Sequence, residues 1–295
     1  MENFNFKSNA SGEAKSRYAN ILLDYWFKRS FGTEINKRLM ILLLREILPE
    51  AGVQDISYNN KEHTNPIPDK HGVIFDIECT SNDGTKFIVE MQLAQQDSFM
   101  ERAIFYSSFA IQDQISKGKK EYDFLPIYFI ALMDFSLHED GRFLYRYELI
   151  EKDSGEMMTD RIHFLFLELP NVRQISGSSS NLEKFCYAMH NMSVLKSRPP
   201  EMQAEIFELL FNSAEIAKFT PEEKIRYEYD MTTERDRLNQ LAFSRKEGKA
   251  EGLKEGKAKG VIEGRNEARE AIAKKLSQKG FSPEEITEII GPEEA

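Results

Sequence analysis

Apolar residues along this 295-residue chain recur with two different periods, and the changes of period mark its elements. Residues 1–15 carry neither period and are polar with Asn, Ser and Gly, so they are expected to be disordered. Tyr18, Ile21, Leu22, Tyr25 and Trp26 fall at helical spacing and predict a helix over 16–29. Ile35, Leu39, Leu42, Leu43 and Ile47 predict a second over 34–48, with Phe31-Gly32 as the break, Thr33 as a cap and Pro49 as the stop. Residues 52–71 read as a polar loop. Period two then takes over, at 73–80 and again at 86–93, with Asn82-Asp83-Gly84 between. A helix is predicted over 99–116. The run 125–134 is apolar on both faces, as a central strand covered on both sides must be. A further apolar run, 162–169, predicts another strand. This order of elements indicates an α/β or α+β domain over about 16–175, followed by helices at 182–195, 201–213 and 221–245.

The hairpin at 73–93 is where chemistry concentrates. One face of its strands reads Val73, Phe75, Ile77, Cys79 and Phe87, Val89, Met91, Leu93, all apolar and therefore the core side. The other face carries Ile74, Asp76, Glu78, Thr80 and Lys86, Ile88, Glu90, Gln92. A three-residue loop with Gly84 left-handed pairs Ser81 with Thr85, and hence Asp76 with Glu90. A two-residue Asp83-Gly84 loop sets Asp76 against Met91 and mismatches the apolar faces, so it is rejected. Cross-strand neighbours lie roughly 5 Å apart at Cβ, and like charges so placed invite a counter-ion. Mg²⁺ prefers hard oxygens and commonly uses only one or two carboxylates. Gln92, two residues beyond Glu90 on the same face, can orient a water or phosphate oxygen but supplies no charge. Taken alone, Asp76 and Glu90 are better read as two solvent-facing residues of an exposed sheet, and it is the flanking pattern that favours a site.

Composition narrows the classes. No run reaches the roughly 18 apolar residues of a membrane span, and the polar N-terminus lacks a signal-peptide core, which places the expectation in the cytoplasm. Cys79 and Cys186 have no CxxC partners, and the five histidines lack ligand spacing, which argues against a disulfide framework or zinc site. The net charge of −10 excludes a surface that coats nucleic acid throughout, but not a local basic strip.

The tail is different again. Gly248, Gly252, Gly256, Gly260 and Gly264 recur every fourth residue among Glu and Lys, and residues 245–279 hold eleven basic and six acidic side chains. On a helix such glycines form a slowly winding strip, and each costs about 1 kcal/mol relative to Ala. A helix of this kind either docks on a partner, such as a second copy of the chain, or stands as a solvated, partly frayed arm. The divisions expected here are a helical region at 181–245 and a charged Gly-repeat tail at 246–295 closing in a helical turn around Gly280.

Asp76 followed by Glu90-Met91-Gln92 resembles the D…ExK core of the PD-(D/E)xK nuclease superfamily. Asp24-Tyr-Trp-Phe-Lys28-Arg-Ser-Phe-Gly32, the Arg102…Tyr106 helix, Gly118 to Tyr122 with Leu125-Pro126-Ile127, and the Gly-repeat tail resemble its Rpn-like branch of recombination-promoting nucleases and putative transposases. The resemblance spans roughly residues 18–290. It implies a restriction-endonuclease-like α/β core, a mixed sheet flanked by helices, with an all-helical C-terminal region. It implies Asp76 and Glu90 as metal ligands, Asp24 as an acidic residue that completes the shell, and Gln92 where the superfamily usually has lysine, a substitution common in this branch. For Lys28 and Arg102 a DNA-phosphate role and a helix-surface role both stay open; Tyr106 reads as core and Glu78 as surface. The implied reaction is hydrolysis of DNA phosphodiesters with Mg²⁺, or Mn²⁺ in its place, without a covalent enzyme intermediate. The competing class is a catalytically weak, nuclease-like DNA-binding or oligomeric scaffold, favoured by Gln92 and the acidic charge. A strand-joining transposase ranks below both, because no DDE-type spacing is present.

Overall fold

The computed structural model describes residues 16–59, 74–115 and 122–291, so the segment expected to be disordered at 1–15 and most of the loop before the hairpin lie outside the described residues. Its centre is a six-stranded mixed sheet in the order β1-β2-β3-β4-β6-β5. These strands are β1 (Ile56–Tyr58), β2 (Ile77–Ser81), β3 (Lys86–Gln92), β4 (Ile127–Met133), β5 (Leu144–Ile150) and β6 (Met157–Glu168). The pairs β3–β4 and β4–β6 are parallel, and the others antiparallel. This is the expected mixed sheet flanked by helices, with helices following it.

The central strand β4 alternates Ile130 and Leu132 into one core with Phe129, Ala131 and Met133 into a second. The first core receives α1 (Asp24–Phe31), α2 (Lys37–Ile47), α4 (Asn181–Asn191) and α5 (Glu205–Ala214) through Phe27, Phe31, Leu43, Phe185 and Phe207, each fully buried. The second receives α3 (Phe99–Gln114) through Phe99, Ala103 and Ala110, which meet Ile88, Phe129 and Phe166. Both faces of the sheet are thus covered at β3 and β4, and neither face of the hairpin is an exposed sheet surface.

Several elements depart from the periodicity. Residues 16–23 are not helical: Tyr18 makes an isolated bridge to Glu215, Ala19 N–H donates to Ala214 O at 2.8 Å, and the Asn20 side chain accepts from Leu22 N–H at 3.1 Å. That local side-chain bond competes with a helical turn, and the apolar residues bury by crossing α5 instead. The helix therefore begins at Asp24. The loop expected over 52–71 contains β1, which pairs with β2. β5 has no apolar run; four of its seven residues are exposed, and antiparallel pairing with β6 makes it a strand. α4 opens on a capping box, Ser180 with Glu183.

Contacts divide the chain into two compact units, through Lys224 and from Ile225. α6 (Pro221–Gln278) runs unbroken through every glycine of the repeat, well past the end expected at 245, and among its residues only Tyr227 is buried. α7 (Pro283–Ile290) follows a turn at Gly280, with a capping box between Ser282 and Glu285. None of the described helices is long and apolar enough to cross a membrane.

Candidate active site

The hairpin turn fixes the site. Gly84 has φ +89°, its N–H donates to Ser81 O at 2.9 Å, and Ser81 N–H donates to Thr85 O at 2.9 Å. Asp83 Oδ1 accepts from Thr85 N–H at 3.0 Å and from the Ser81 hydroxyl, which together lower its pKa. The three-residue loop sets Cys79 opposite Phe87 and Ile77 opposite Val89, and the same register carried on sets Asp76 opposite Glu90.

At that point β2 bends. Phe75, expected beside Ile77 on the first core, turns to the second and packs edge-on against Tyr106 of α3 at 5.6 Å. Asp76 is thereby held at the strand's end, where its N–H donates to Glu90 Oε1 at 3.0 Å. In return Asp76 Oδ2 accepts from Met91 N–H at 2.9 Å. One oxygen of each carboxylate is spent on the opposite strand, and Asp76 Oδ1 and Glu90 Oε2 remain.

Glu90 is buried, at 3 % exposure, and Asp76 is half-buried, its side chain 18 % exposed. Burial raises the Glu90 pKa first and the Asp76 charge second, against the Asp76 N–H, Arg102 and Lys28, so that it stands at about 8. The Asp76 pKa is also raised by burial, against its bond from Met91 and the charge of Lys28. Two neighbouring carboxyls out of water cannot both ionise freely, and cation binding is the natural relief.

The four other expected residues lie around this pair. Lys28 Nζ lies 3.3 Å from Asp76 Oδ1 and 2.6 Å from Asp24 Oδ1, one helical turn behind it on α1. Asp24 therefore reaches the hairpin through Lys28; its own side chain is 69 % exposed. Arg102, on α3, lies over the Tyr106 ring at 5.4 Å and donates through Nη1 to Gln96 Oε1, while its charge acts on Glu90. Its Nε is buried and, among the described residues, makes no hydrogen bond. Gln92, 9 % exposed, ends β3, and its carbonyl accepts from Asp134 N–H at 2.9 Å.

Hard oxygens at Asp76 and Glu90 fit a divalent ion in kind. Among the described residues no three His, Cys, Asp or Glu side chains converge on one point, so the seat has two protein carboxylates rather than a closed cage. Ions such as Mg²⁺ keep several waters and are held in this way.

Glu78, expected at the surface, is 4 % exposed beneath α3 and pairs with Lys86 at 3.2 Å; it is a buried ion pair on the hairpin, apart from the Asp76–Glu90 end. A second polar cluster had no local signal at all. The parallel strands end in one row, Gln92, Met133 and Glu168. Glu168, fully buried, accepts from Leu137 N–H at 3.0 Å, His138 N–H at 3.2 Å and Asn171 Nδ2 at 2.8 Å, and lies 2.6 Å from His138 Nδ1. His138 Nε2 in turn meets the Tyr147 hydroxyl at 2.6 Å. Leu137 and His138 lie some thirty residues from Glu168 in sequence, and the network ties the end of β6 to the segment after β4.

A family model for PD-(D/E)XK nuclease family transposases matches residues 21–244, which takes in the hairpin, α1, α3 and every strand. No curated protein and no solved structure matches the chain.

Proposed function

The chain belongs to the PD-(D/E)XK nuclease family transposases, and on that premise we propose that it is a divalent-metal-dependent endonuclease that hydrolyses DNA phosphodiesters at the Asp76–Glu90 hairpin. The observation that carries this reading is the reciprocal bonding of the two carboxyls to backbone N–H groups across the hairpin, which leaves Asp76 Oδ1 and Glu90 Oε2 outside that bonding at the same strand end. Asp76 and Glu90 hold Mg²⁺, or Mn²⁺ in its place. Bound there, the ion would polarise a phosphate and activate a water.

The remaining residues act around that seat. Gln92, on the Glu90 face of β3, orients a water or a phosphate oxygen through its neutral amide. Lys28 and Arg102 offset phosphate charge, the first from α1 and the second from α3. Asp24, paired with Lys28, adds acidic charge on the exposed side of the site. α6, exposed almost throughout, fits self-association through its glycine strip, with the excess Lys and Arg of residues 245–279 near DNA.

Nicking of supercoiled plasmid in Mg²⁺ tests the reading, with Asp76→Ala and Glu90→Ala beside the wild type. Activity in the wild type that both substitutions and EDTA abolish is the expected result. Absent nicking, or nicking that neither substitution reduces, leaves the second reading, a nuclease-like DNA-binding scaffold. That alternative is favoured by the neutral Gln92 and the net charge of −10.

A further inference from the structure

We propose that Lys28 is a built-in counter-ion of the active site: it occupies the seat of the divalent ion before loading and is released toward the substrate phosphate when the ion arrives. The proposal rests on the metal-dependent reading above and adds to it what holds the site together without metal.

The argument starts from which oxygens are free. Asp76 Oδ2 is committed to Met91 N–H, so Oδ1 is the atom of Asp76 that remains for a cation. Lys28 Nζ is on that atom, at 3.3 Å, and its other partner is Asp24 at 2.6 Å. An incoming divalent ion would seek the same Asp76 oxygen, so ammonium and metal compete for it. Arg102, the second cation near the pair, does not compete in this way, because its guanidinium is turned to Gln96 and Tyr106.

Lys28 is also built to leave. Its side chain is 37 % exposed, against 18 % for Asp76, so it lies between the carboxylate and solvent. A lysine is a compact point charge on a flexible four-carbon stem, able to swing without moving its helix. Two carboxylates, Asp24 and Asp76, face its ammonium at 2.6 and 3.3 Å. Released, it remains anchored on α1 beside the hairpin and carries the positive charge that Gln92 lacks. The donor set then holds the divalent ion, while the lysine meets the anion the ion attracts.

This exchange predicts an effect of opposite sign to that of a lysine that merely supports the site. Mn²⁺ is titrated into the DNA-free full chain by calorimetry, comparing wild type with Lys28→Met and Lys28→Gln, each first checked for an unchanged circular-dichroism spectrum. Both variants should bind Mn²⁺ at least five-fold more tightly than wild type. In Ca²⁺, without cleavage, both should bind duplex DNA at least five-fold more weakly, and Lys28→Arg should recover most of that binding. Equal or weaker Mn²⁺ affinity in the two variants, or no Mn²⁺ binding to any of the proteins, overturns the exchange. Tighter Mn²⁺ binding in a protein that never nicks plasmid upholds the exchange and overturns the nuclease reading instead.

Discussion

Asp76 and Glu90 are bound to each other's strands in both directions: Asp76 N–H donates to the Glu90 carboxyl at 3.0 Å, and the Asp76 carboxyl accepts from Met91 N–H at 2.9 Å. The acids are therefore part of the sheet's hydrogen bonding as well as the proposed seat of chemistry, and the two roles can be separated. Asp76→Asn and Glu90→Gln keep an acceptor oxygen for each backbone donor but remove the capacity to carry negative charge. We expect each to melt within about 5 °C of wild type, a change of about 1 kcal/mol or less. Nicking should fall by about 100-fold or more, roughly 3 kcal/mol of barrier. Calorimetry and a plasmid time course check the pair of outcomes, and a large loss of melting temperature with full activity contradicts both.

The same burial fixes a pH dependence. Glu90 has a folded pKa of about 8, above its ordinary 4.5, so between those values the folded state holds a proton that the unfolded chain has lost. Stability of the metal-free protein from this group is thus fully present below about 4.5 and is lost as pH rises through about 8. Urea titrations at pH 5 and pH 8 should show a larger loss in wild type than in Glu90→Gln, and equal losses would show that Glu90 is ionised in the fold.

Gly84 sets the register on which the site depends. Its φ of +89° is one that L side chains rarely adopt, and a Cβ there would collide with the Leu125 side chain. Gly84→Ala should destabilise the protein by about 1–3 kcal/mol, and trimming Leu125 to Ala should not restore it, because the backbone strain remains. Denaturant midpoints of the single and double variants decide this.

Lys86 and Glu78 form a pair in the hairpin with side chains 13 % and 2 % exposed. Removing one partner leaves a buried charge. Lys86→Met should cost about 3–5 kcal/mol, and adding Glu78→Gln to it should recover part of that loss. Unfolding curves of the cycle measure the coupling; a silent Lys86→Met would mean that water reaches Glu78.

The glycine strip gives an opposite pair of effects in α6. Among the described residues, apart from the neighbouring turns of its own helix, nothing lies within 4 Å of a Cβ added at Gly248, Gly252, Gly256, Gly260 or Gly264. Alanine at all five should raise helicity, by about 1 kcal/mol each, yet abolish self-association if the strip is where copies meet. Circular dichroism and sedimentation read the two separately, and an oligomer that survives rules out the strip as its contact.

The sequence by itself determined the hairpin, its register and the juxtaposition of Asp76 with Glu90, because turn chemistry and period-two alternation act over a few residues and admit one pairing. It also determined β4 as a central strand, since an apolar run on both faces has no other use in a sheet. The i,i+4 pairing of Asp24 with Lys28 was equally within reach of local spacing. Only the tertiary structure decided that α3 closes over the acidic face and that Glu78 and Glu90 are buried, that β2 bends so Phe75 changes cores, that residues 16–23 are non-helical and bridge to the end of α5, and that Lys28 reaches Asp76. The same holds for β5 and the Glu168–His138–Tyr147 network. Each of these depends on groups far apart in the chain meeting out of water, where the gain from burial and the need to satisfy every polar atom outweigh local preference.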